Sequence, residues 1–186
     1  MKPFSCSAIG PGHVGRHRSP DPVPAEPGRW PKLAAALAVV NRDVRATLPD
    51  QDPLVLMCVP SCEPPTPTSV GGDQIYVALP DGRWHGNPVN ARDLEAGDPL
   101  EPDDAETVLS VVAEAAQETL MELLWQAWPV CPAHRTGTHL LLPRTDDGYP
   151  SGADPQGPPV WWCGGGPGGV RHAVSLVGEW GAAPSP

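Results

Sequence analysis

Large apolar side chains are scarce in this 186-residue sequence, which has one Phe, two Ile, two Tyr and three Met. Leu, Ile, Val and Phe together make up about a fifth of the chain, at the lower edge of what a packed core requires. Long apolar runs are missing as well: nothing approaches the roughly 18–20 residues of a membrane-crossing helix. The best candidate, Leu33 to Val40, runs straight into Asn41, Arg42 and Asp43, and so lacks the small-residue cleavage site of a secretory leader. These absences predict a cytoplasmic protein with no membrane association. Lysine occurs twice against ten arginines, a bias of GC-rich genomes that by itself raises Pro, Gly and Ala. The five cysteines (Cys6, Cys58, Cys62, Cys131, Cys163) are odd in number and too sparse for a disulfide framework. In a reducing compartment they are free thiols or metal ligands. No H-E-x-x-H, G-x-x-x-x-G-K-S/T or G-x-S-x-G occurs, which removes the commonest protease, nucleotide-hydrolase and esterase signatures.

Proline and glycine, by contrast, are abundant, with 27 and 20 residues. Their distribution is uneven. Residues 1–28 hold six prolines and four glycines and predict a disordered arm, whereas 103–128 hold neither residue. Charge is uneven too. Residues 1–50 carry +3, residues 51–130 carry −12 and residues 131–186 carry −1, for a net charge of −10. An acidic middle and dispersed bases disfavour nucleic acid and anionic membranes as partners.

From Trp30, the spacing of Leu33, Leu37, Val40, Val44 and Leu48 predicts an amphipathic helix, with Pro31 in its first turn and Pro49 beyond its end. Leu54–Val59 reads as a buried strand. Ile75, Val77 and Leu79 alternate as a second strand, and Pro80-Asp81-Gly82 predicts a turn returning through Arg83-Trp84-His85 as a hairpin. Asp103 and Glu106 suggest a capping box for a second helix, carrying Val108, Val112, Ala115, Thr119 and Leu123 and ending at Pro129. Strands follow at Leu140–Leu142, Val160–Cys163 and Val170–Val177. This order predicts an α+β fold: a small, mainly antiparallel sheet packed on two helices, with a β-hairpin tail. The expected organisation is an arm over 1–28, a core over 29–129, a ribbon-like segment over 130–180 with a flexible loop at 143–159, and a frayed end over 181–186.

The most specific chemistry lies in Cys131-Pro132-Ala133-His134, followed by Gly137 and His139, with Trp162-Cys163-Gly164 about thirty residues later. A C-P-x-C/H turn with a nearby glycine points two ligand side chains inward and offers backbone N–H groups to a thiolate. Over residues 124–180 the sequence resembles a degenerate zinc ribbon, and it is similar to the tails of small uncharacterised proteins of GC-rich bacteria carrying C-P-x-H and a later W-x-C-like strand. That resemblance implies a structural element without a known activity. Gly166 stands where the second knuckle's second ligand belongs, so a four-ligand zinc site must recruit His139 or His172; Cys131, His134, His139 and Cys163 are the favoured set.

Other candidates have plainer explanations. Cys58-Val59-Pro60-Ser61-Cys62 lacks the two-residue spacing of redox dithiols and knuckles. Gly164–Gly169 matches G-x-G-x-x-G, but a strand-like segment follows where a dinucleotide site needs a helix. The acidic run from Asp93 to Glu106 lacks calcium-loop register and reads as a solvated surface. Together these features predict a soluble, non-enzymatic module that binds a protein partner. A small zinc-dependent hydrolase using Cys131, His134 and Cys163 with an open metal position is the alternative, and an acidic immunity or antagonist protein against a basic partner is a third.

Overall fold

The computed structural model describes residues 21–60, 72–90, 100–141, 157–165 and 169–181. The fold is α+β, as the element order predicted. The described elements are two helices and two three-stranded antiparallel sheets, β1 (Val23–Pro24), β2 (Val55–Val59) and β3 (Gln74–Ala78) in one and β4 (His139–Leu141), β5 (Val160–Cys163) and β6 (His172–Leu176) in the other.

Helix α1 (Pro31–Thr47) buries Leu33, Ala36, Leu37, Val40 and Val44, the three- and four-residue spacing of its sequence. Its first turn is capped from a distance, because the buried Glu101 carboxylate accepts the Leu33 N–H at 2.9 Å. Lys32 reaches Asp103 at 2.8 Å beside it. Helix α2 (Ala105–Leu124) buries Val108, Val112, Ala113, Ala116 and Leu120 against α1 and strand β3. Each fully buried Val or Leu on these faces contributes about 1.5–3 kcal/mol relative to exposure.

The first sheet is built from β1 (Val23–Pro24), β2 (Val55–Val59) and β3 (Gln74–Ala78). Two asparagine side chains extend its hydrogen bonding. Asn41 exchanges bonds with the Leu54 N–H and C=O at 2.9 and 3.0 Å. Asn90 accepts the Ile75 N–H at 2.8 Å and donates to the Asp73 carbonyl at 2.8 Å, covering the free edge of β3 as a strand would.

Several expectations are corrected. β1 lies inside the stretch expected to be a disordered arm; residues 1–20 lie outside the described part. The α2 cap is Asp104, which accepts the Thr107 N–H at 2.8 Å, so the box begins one residue later than Asp103. The helix stops at Leu124, ahead of Pro129, because Trp125 turns left-handed at φ 54°. That reversal sends Trp128 into the core, where its indole N–H donates to Thr47 Oγ1 at 2.7 Å. The turn at Pro80–Gly82 forms, closed by the Leu79 N–H on the Arg83 carbonyl at 2.8 Å. Arg83–His85 does not return as a strand. Trp84 stacks on Tyr76 at 4.9 Å, and the Thr119 hydroxyl of α2 takes the His85 N–H at 3.2 Å while lying 3.0 Å from the Val77 carbonyl. A buried hydroxyl thus replaces the expected ladder.

The second sheet comprises β4 (His139–Leu141), β5 (Val160–Cys163) and β6 (His172–Leu176). Trp161, Trp128 and Val177 join it to the same core cluster as both helices and the first sheet. The acidic residues from Asp93 to Asp98, Cys6, Cys62 and most of the loop at 143–159 lie outside the described residues. Among the described residues, no helix is long and apolar enough to cross a membrane.

Candidate metal centre

The segment between α2 and β4 folds back on itself as a tight turn. Val130 bridges Gly137, the Cys131 N–H donates to the Thr136 carbonyl at 2.8 Å, and the Arg135 N–H returns to the Cys131 carbonyl at 2.8 Å. Arg135 adopts φ 58° to close it. Helix α2 holds this turn in place: Gln117 Nε2 donates to the Trp128 and Thr138 carbonyls at 2.8 and 2.9 Å, one on each limb. The short loop therefore turns Cys131 and His134 toward each other, with Sγ and Nδ1 3.8 Å apart.

The opposing half is the end of β5. Cys163 is fully buried and packs its sulfur 3.3 Å from His134 Nδ1 and 3.4 Å from Thr136 Oγ1. Gly165, at φ 78°, directs its N–H to the same sulfur, and a side chain there would press to 2.6 Å from the Gly169 carbonyl. Only glycine suits that approach. Burial opposes ionisation of Cys163, but hydrogen bonds from Thr136, Gly165, His134 and Cys131 outweigh it and bring the thiol down to about 6. These bonds favour the thiolate, the form that binds metal.

His172 arrives from β6, with its Nε2 3.7 Å from Cys131 Sγ and its ring 5.1 Å from that of His134. The donor atoms of Cys131, His134 and His172 all lie within 4.8 Å of one another. Its position depends on a β-bulge. Val160 and Trp161 pair with Leu176 and Ser175, but Trp162 and Cys163 pair with Ala173 and His172, so Val174 is the extra residue. Without the bulge Cys163 would oppose Ala173, and His172 would point from the other face.

The same alternation places His139 apart. It pairs directly with Trp162, is exposed, and stacks on that ring at 5.4 Å. Neighbouring residues of a strand face opposite sides, so the face shared by Trp162 and His139 is the one away from Cys163. Of the favoured set, the structure brings together Cys131, His134 and Cys163; His139 stands outside, and His172 takes the place expected of it. Trp161 is buried and Trp162 half-exposed, one ring to each side. Cys58 is buried on β2, away from this group, with its thiol raised chiefly by burial. A strand follows Gly164–Gly169 where a dinucleotide site would need a helix.

The spacings suit a metal. A tetrahedral zinc, bonded at about 2.3 Å to sulfur and 2.0–2.1 Å to nitrogen, separates neighbouring ligand atoms by roughly 3.4–3.8 Å. Cys131 Sγ lies 3.8 Å from His134 Nδ1 and 3.7 Å from His172 Nε2, and Cys163 Sγ lies 3.3 Å from His134 Nδ1. Thiols and imidazoles are donors that suit transition metals such as zinc, copper(I) or iron better than magnesium or calcium. Two supporting residues, Thr136 and Gly165, carry no signal in the sequence beyond nearness to the cysteines. Compared with protein-family models, with curated proteins and with solved structures, the chain matches none.

Proposed function

We propose that Cys131, His134, Cys163 and His172 hold a zinc ion that staples the second sheet, and that the chain is a non-enzymatic module acting through protein contact. The observation that carries this reading is the convergence of Cys131, His134 and His172, whose donor atoms lie within 4.8 Å of one another, with the Cys163 sulfur 3.3 Å from His134 Nδ1. A structural zinc site is closed by four protein ligands, whereas a catalytic one keeps a position for water. Cys163, beside His134, would be the fourth ligand that closes that position, which favours the stapled module over the hydrolase. Both sulfurs are 0% exposed, so Cys131 with His134 also lacks the access a nucleophile and base require.

Protein contact draws support from the surface. The net charge of −10 and the exposed Glu114 and Glu122 on α2 suit a basic partner, and Met121 and Trp125 beside them are 41% and 89% exposed. The zinc reading is tested with cobalt as a reporter. Cobalt-loaded protein should show the absorption of a tetrahedral thiolate site, unchanged by added cyanide or a hydroxamate. A shift on adding either would reveal an exchangeable position and favour the hydrolase.

A further inference from the structure

Asp43 lies on the apolar face of α1 and is 0% exposed. Its Oδ2 accepts the Trp161 indole N–H and the Gly178 N–H, each at 2.7 Å, and its Oδ1 accepts the Trp180 N–H at 2.9 Å. All three donors belong to the second sheet or the segment leaving it. Trp161 is two residues before Cys163 on β5, so both side chains share a face. Gly178 and Trp180 follow directly from β6, the strand that begins with His172. β5 therefore carries Cys163 at one end and the Asp43 donor Trp161 toward the other, and β6 begins with His172 and leads into the donors Gly178 and Trp180.

We propose that Asp43 is a positioning residue for the metal centre. The inference rests on the zinc reading above. The bulge between Trp161 and Trp162 decides which β6 residue faces Cys163, and a slip of one residue would exchange His172 for Ala173. Asp43 fixes β5 and the segment leaving β6 to α1 on the far side of that bulge, with Trp161 from β5 and Gly178, two residues past β6, sharing one oxygen. Gly178 adopts φ 88°, and any side chain there would collide with Val39 of α1, so the segment is seated tightly against the helix. Backbone ties at this end are the Val160–Leu176 and Trp161–Ser175 pairs of the ladder and the Val177 N–H on the Pro159 carbonyl at 3.0 Å, and Asp43 adds the link from both strands to α1. The carboxylate thus holds the register that sets Cys163 against His172.

Such coupling is reciprocal. If Asp43 improves metal binding, bound metal must protect the bonds to Asp43 by the same factor. The experiment uses the full chain with zinc, comparing wild type, Asp43→Asn and Gly178→Ala. Asn keeps the size of the side chain but turns an amide toward at least one of the three N–H donors. Chelator competition should show zinc bound about tenfold or more weakly in both variants, within the 5–150-fold range of ordinary couplings. The cobalt absorption should keep its wild-type shape, because the ligands are unchanged. In the wild type, zinc should slow hydrogen exchange at the Gly178 and Trp180 amides and the Trp161 indole by a matching factor. That last measurement stands even if a variant fails to fold. Wild type that binds zinc while these exchange rates stay the same overturns this inference alone. Wild type that takes up neither zinc nor cobalt overturns the zinc reading and this inference with it.

Discussion

Replacing Trp161 by Phe probes the junction between α1 and the second sheet. The ring stays apolar and can still meet Trp128, whose centroid lies 5.2 Å away edge-on. What is lost is the indole N–H on Asp43, a buried hydrogen bond to a charged acceptor worth about 1.5–3 kcal/mol. The smaller ring leaves unfilled volume in a site that is 0% exposed, which adds about 1 kcal/mol by analogy with other core truncations. A total near 3 kcal/mol is a large share of the 5–15 kcal/mol that typically stabilises a domain. It should lower Tm by about 6–12 °C in a chain of this size. Urea unfolding followed by circular dichroism in excess chelator measures it without a contribution from metal. The stringent form adds Asp43→Asn and the double variant. Because both substitutions break the same bond, their combined cost should fall short of the sum by about 1–2 kcal/mol. Additivity within about 0.5 kcal/mol, or a cost for Trp161→Phe below about 1 kcal/mol, would refute the Asp43–Trp161 junction.

Three further outcomes follow from single contacts. Burial raises the Asp43 carboxyl above its ordinary 3.8, against the N–H bonds from Gly178, Trp161 and Trp180; the native state then binds more protons, so in chelator the Asp43 contribution is greatest below pH 3.8 and declines as pH rises through the folded value. Asp43→Asn should flatten that part of a stability–pH profile, and an unchanged slope would contradict it. Gly165→Ala should weaken zinc binding about 10–100-fold, the usual cost of losing support for a ligand, as read by chelator competition. Glu101→Ala uncaps the first turn of α1 and should cost about 1–2 kcal/mol in urea melts, with little change in zinc affinity.

How much of this was legible in the sequence differs by element. Helix α1 was readable from its three- and four-residue apolar spacing, β3 from its alternation, and β2 from a short continuous apolar run bounded by prolines. Cys131 and His134 were readable because their geometry is local, two ligands closed by a turn of a few residues. The choice between His139 and His172 was not, since it depends on a bulge whose only trace is the unremarkable Ser175, Val174 and Ala173. The end of α2 escaped for a related reason: no Gly or Pro marks Trp125, and the pull comes from Trp128 entering the core. Asp43 did leave a trace, an acid in an apolar stripe between Val40 and Val44. Its three donors lie 118 to 137 residues away, beyond any local pattern.

The zinc content of the native chain bears most directly on the central claim. Protein purified without added metal should carry one zinc per chain, and Cys131→Ser, Cys163→Ser and His172→Ala should each lose it or bind it far more weakly. His139→Ala should retain it, because that ring stacks on Trp162 on the opposite face of the sheet. Wild-type protein without zinc, or zinc lost from His139→Ala and kept by His172→Ala, would contradict the account.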